Sequence, residues 1–77
     1  MSDDETKKVI AKNLMRLRNG LSYSELGRRC GTNASAISKI EKAEHMPGAG
    51  LLTRIAESLG VPVEELLKTG EKLSRSA

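Results

Sequence analysis

An all-α fold is what this sequence predicts, and three observations predict it. Apolar residues recur at helical spacing, as in Ile10, Leu14, Leu17 and Leu21. Valine and isoleucine occur singly, never in the alternating runs that a half-buried strand requires. Start and stop residues punctuate the chain often enough to delimit five short helices.

The first helix carries the Ile10 to Leu21 stripe and ends at Gly20, near Asn19. Ser22-Tyr23-Ser24-Glu25 then reads as a capping box, with Leu21 and Leu26 placed as a hydrophobic staple across the same turn. The second helix therefore runs from Tyr23 to about Cys30 and stops at Gly31, a residue that accepts a left-handed backbone. Asn33 is a good N-cap and opens a third helix over about Ala34 to Lys42. Pro47 and Gly48 mark the next loop. A fourth helix starts at Gly48 or Ala49, turns Leu52, Ile55, Ala56 and Leu59 inward, and ends at Gly60. Pro62 suits the opening turn of a fifth, with Glu64 and Glu65 near its positive end. Leu66 and Leu67 are expected to close the core, and Gly70 to end the helix.

The 77 residues suffice for one small domain, because a chain of this length buries only about 60% of the surface its unfolded form exposes. Residues 1–5, with Asp3, Asp4 and Glu5, read as a flexible acidic arm; residues 6–68 as the domain; and 69–77 as a polar tail or the start of a linker. A single cysteine excludes an internal disulfide framework, and Cys30 is expected to be a small buried hydrophobe. His45 stands alone, as a solvated loop residue. No apolar run approaches the ~18 residues of a membrane span, and no signal-peptide pattern opens the chain. A cytoplasmic location follows as the expectation. No paired acid and base, phosphate-cradling loop or nucleophile beside a base is evident, so no enzyme, cofactor, metal or small-molecule ligand is expected.

The charges are segregated. Residues 1–5 carry −3, residues 6–42 carry +7, and residues 43–77 carry −1. A +7 stretch of this kind suits a polyanion such as nucleic acid. Within it, a short helix, a glycine-containing turn and a second short helix form a helix-turn-helix unit over Tyr23–Lys42. On the third helix, at about 100° per residue, Ala34, Ser38, Lys42, Ser35 and Lys39 share one sector, small or basic and free of acid. Ile37 and Ile40 lie on the opposite side. Lys7, Lys8 and Lys12 read first as a solvated face and second as an arm touching DNA; Arg28 and Arg29 read as ordinary helix surface.

The segments GLSYSELGRRCGTNASAISKIE at 20–41, Pro47, and LLTRIAESLGVPVEELL at 51–67 resemble the Cro/repressor-type (XRE) helix-turn-helix regulators. The resemblance covers about Ile10 to Leu67, and it implies a compact, phage-repressor-like five-helix bundle whose pairs bind palindromic operators. It places base-reading positions at Asn33, Ala34, Ser35, Ser38 and Lys39. Lys39 would donate to guanine O6 or N7, Ser35 and Ser38 would discriminate weakly, and Ala34 would pack on a thymine methyl. It also implies phosphate contacts at Ser22, at the Tyr23 hydroxyl and at Lys42. Arg18 matches the family arginine that pairs with the glutamate at Glu41, with Arg16 as the alternative. Ala43 stands where the family commonly carries Gly or Asn.

The resemblance implies a sequence-specific regulator, a repressor on double-stranded DNA, associated with the nucleoid when bound. Pairing is expected to be weak and reinforced by DNA, with Val61, Val63 and Leu67 at the contact. A protein-interaction module on the same fold, an antitoxin or a coactivator-like adaptor, is the alternative.

Overall fold

The computed structural model describes residues 2–69. Five helices follow in order: α1 (Asp3–Arg18), α2 (Tyr23–Arg29), α3 (Ala34–Glu41), α4 (Ala49–Leu59) and α5 (Glu64–Leu67). Among the described residues there is no strand. From Gly70 on, the expected polar tail lies outside the described residues, as does Met1.

The acidic segment is not a separate arm. Ser2 caps α1: its hydroxyl oxygen accepts the Glu5 N–H at 3.2 Å, and the Glu5 carboxylate accepts the Ser2 N–H at 3.2 Å. Asp3, Asp4 and Glu5 thus form the first turn, where the positive end of the helix dipole favours acids. Arg16 and Arg18 occupy the last turn, where that dipole favours cations.

Ser22 caps α2 by accepting the Glu25 N–H at 3.0 Å. Only half of the expected capping box forms. The Glu25 carboxylate turns to Arg28 at 2.6 Å and Arg29 at 3.0 Å, because a charged donor outbids a neutral backbone N–H. Arg28 first, and Arg29 second, hold the Glu25 carboxyl below its ordinary range. Asn33 caps α3 by accepting the Ala36 N–H at 2.9 Å.

Three helices end alike. After α2 the Thr32 N–H reaches the Gly27 carbonyl at 2.8 Å; after α3 the Glu44 N–H reaches Lys39 at 2.9 Å; after α4 the Val61 N–H reaches Ala56 at 3.0 Å. Each closure needs a left-handed residue in between, and these are Gly31, Ala43 and Gly60 with φ of 75°, 61° and 73°. The middle one therefore has a β-carbon where its counterparts have none.

The core draws on every helix: Ile10 and Leu14 from α1, Leu26 from α2 with Cys30 at its end, Ile37 and Ile40 from α3, Ile55 and Ala56 from α4, and Leu66 from α5. Each large apolar side chain so buried contributes about 1.5–3 kcal/mol. Leu66 alone of the expected pair closes the core; Leu67 is 41% exposed. Pro62 lies ahead of α5, its carbonyl accepting the Glu65 N–H at 3.0 Å. The helix stops at Leu67, before Gly70, where Lys68 turns extended, and the buried Asn13 amide of α1 donates to the Leu66 and Lys68 carbonyls at 2.9 and 2.8 Å. The Asn13 oxygen in turn accepts from Arg16 at 3.2 Å, and Arg16 faces Glu65 at 3.6 Å.

Candidate nucleic-acid interface

Helices α2 and α3 are joined by Cys30–Asn33, and Gly27 lets α2 lie directly against the backbone where α3 begins. Ile37 and Ile40 anchor α3 to the core at 0% and 1% exposure. That anchoring fixes which side of the helix faces out. Ser35, Lys39 and Lys42 are exposed, and Ala34 and Ser38 are half-buried at the margin of the same face. Glu41, the acid of α3, is withdrawn to 7% exposure. The outward side is therefore small, neutral or basic, flat enough for close approach and open to hydrogen bonding through Ser35 and Lys39.

Asn33 is exposed, but its side-chain oxygen is committed to the cap; its amide N–H groups are left to donate. Ser22 is exposed as well, and its hydroxyl keeps a proton to donate while its oxygen caps α2.

The Tyr23 hydroxyl, expected at a phosphate, has a partner inside the protein. It donates to the Glu41 carboxylate at 3.2 Å, so a phosphate would compete with Glu41 for that proton. Arg18 completes the cluster. Its Nε donates to one Glu41 oxygen, its Nη2 reaches the other at 3.1 Å, and its Nη1 donates to the Leu21 carbonyl at 2.8 Å. The guanidinium also lies over the Tyr23 ring, 4.4 Å from the centroid. The pair with Glu41 raises the Arg18 pKa further, against the opposing pull of burial. Arg16, the alternative partner, is engaged elsewhere, with Asn13 and Glu65.

The other cations sort by partner. Arg28 and Arg29 bind Glu25, and Lys7 lies 3.7 Å from Asp4. Among the described residues, Lys39 and Lys42 form no ion pair. Lys8 and Lys12 on α1 are likewise exposed and outside any ion pair among the described residues, so the unpaired cations of the 6–42 segment divide between α1 and the outward side of α3. Cys30 is a buried thiol, 3.6 Å from the Ser58 hydroxyl, and His45 is exposed in the loop after α3. No helix among the described residues is long and apolar enough to cross a membrane.

Two groups escape a reading of spacing alone, one on the opposite flank and one at this interface. Asn13 was passed over because its partners are 53 and 55 residues away. The Tyr23 hydroxyl was turned outward because position alone does not reveal which oxygen it meets.

No curated protein matches the sequence. Among solved structures, the crystal structure of NHTF, a hypothetical transcription factor from Neisseria, is similar in fold. Its TM-score is 0.84 at 24% identity, covering 100% of this chain and 91% of that one. The helix-turn-helix family model matches residues 14–66, a span from the C-terminal third of α1 through Leu66 of α5. This chain belongs to the helix-turn-helix family of the Cro/repressor (XRE) type.

Proposed function

We propose that this chain is a sequence-specific transcriptional regulator, a cytoplasmic repressor that binds a palindromic operator as a homodimer with α3 in the major groove. Family membership supports the coarser part, a DNA-binding regulator. The observation that supports placing α3 in the major groove is its outward side, where exposed Ser35 and Lys39 stand on a face from which Glu41 is withdrawn.

In this reading Lys39 donates to guanine O6 or N7, Ser35 and Ser38 add weak discrimination, and Ala34 meets a thymine methyl. Asn33 donates its amide at the groove edge, while Ser22 and Lys42 hold phosphates. Two copies engage half-sites about 34 Å apart, a single turn of the duplex. Val61, Val63 and Leu67 supply a weak contact that DNA reinforces.

The test is a titration against a palindrome selected from random duplexes, with random DNA as the comparison. The selected site should bind at least ~10³-fold more tightly, with affinity declining steeply as salt rises. Equal affinity for both sequences would reject a specific reader and favour a protein-interaction module.

A further inference from the structure

We propose that Tyr23 is a positioning residue of the α3 interface: its hydroxyl, bonded to Glu41, fixes how the C-terminal half of α3 is seated and so where Lys39 and Lys42 point. The proposal rests on the DNA-reading function above and assigns Tyr23 a role in its specificity.

Three helix ends meet at this cluster. Arg18 is the last residue of α1, Tyr23 the first of α2, and Glu41 the last of α3. The Glu41 side chain is 3% exposed, and its Oε1 takes two donors, Arg18 at 3.1 Å and Tyr23 at 3.2 Å. Arg18 ties Glu41 to α1 and, by stacking on the Tyr23 ring, indirectly to α2; the tyrosine hydroxyl makes the direct hydrogen bond from α2 to this carboxylate. Glu41 is two residues past Lys39 and next to Lys42. A shift of this one carboxylate along α2 therefore moves both lysines.

The bond to Glu41 competes with the simpler role. With its proton given to Glu41, the Tyr23 oxygen has only lone pairs to present outward. A phosphate diester offers no proton to meet them. Removal of the hydroxyl also leaves no orphaned charge, because Arg18 still donates to both Glu41 oxygens and still stacks on the ring. The fold should thus survive Tyr23→Phe while the seating of α3 loosens.

The test compares the wild-type chain with Tyr23→Phe, using thermal unfolding as the check on folding. In the free proteins, the amide chemical shifts of Ser35, Ser38 and Lys39 should move, while those of α4 stay in place. The preference for a selected site over random duplex should fall about tenfold, with random-duplex affinity unchanged; a hydrogen bond to a charged group is strong enough for an effect of that size. Both changes are required. An unchanged preference overturns the proposal whatever the shifts do, and so does a fall without shift changes. A parallel loss on both duplexes overturns it in favour of direct phosphate contact. If the wild-type chain shows no preference at all, the DNA-reading function fails, and the specificity role of Tyr23 fails with it. In that case the shift comparison still reports whether Tyr23 holds α3.

Discussion

Gly27 lies against the backbone of Asn33 so closely that a β-carbon at Gly27 would fall 2.6 Å from the Asn33 carbonyl carbon and 2.7 Å from its oxygen. Real β-carbons do not approach backbone so nearly, so the glycine sets the spacing of α2 and α3. Gly27→Ala should destabilise the fold by about 1–3 kcal/mol, although alanine is the better helix former. Chemical denaturation would measure this. A stabilised Gly27→Ala variant would show that the turn at Asn33 yields freely.

Asn13 offers a second test, on the opposite flank. Its amide supplies both donors to the Leu66 and Lys68 carbonyls. Asn13→Ala should cost about 1–3 kcal/mol by leaving the buried Leu66 acceptor without that partner. Asn13→Asp should be worse, since it turns a carboxylate towards two carbonyls. Amide exchange over α5 should accelerate in both variants before exchange in α3 does.

Lys39 and Lys42 should separate when each is changed to alanine. Lys39→Ala should weaken the selected site by about 1–3 kcal/mol and relax preference at a single base pair. Lys42→Ala should weaken all sequences alike and lower the salt slope by about one. A uniform loss in Lys39→Ala would move that side chain from the bases to the phosphates.

Acid should reduce stability, and the sign follows from two surface carboxylates. Glu25 is held below its ordinary range by Arg28 and Arg29, and Glu65 by Lys68 and then Arg16. Each binds fewer protons folded than unfolded, so its contribution is present at neutral pH and lost as pH falls through the lowered folded value. The thermal midpoint should hold steady down to the ordinary carboxylate range and drop below it. Glu25→Gln should make that drop shallower.

The helix boundaries were largely legible because local chemistry sets them. Ser22 and Asn33 cap as side-chain acceptors, and Gly31 and Gly60 take left-handed turns. Ile37 and Ile40 face the core as the wheel predicts, and the same wheel turns Ser35 and Lys39 outward. What escaped were choices between competing partners. Charge suggested an arm where Ser2 and Glu5 make a cap. Glu25 had a backbone N–H within reach and took two arginines instead. Tyr23 met Glu41 only because α3 folds back on α2, 18 residues on in the chain. Spacing predicts which way a side chain leaves its helix; the other helices decide what it finds.

Ala43 carries this logic into the loop beyond α3. Where α2 and α4 end on glycine, α3 ends on a residue whose methyl group narrows the left-handed well it occupies. The Glu44 N–H, bonded to the Lys39 carbonyl across that methyl-bearing residue, sets the direction in which the chain leaves α3.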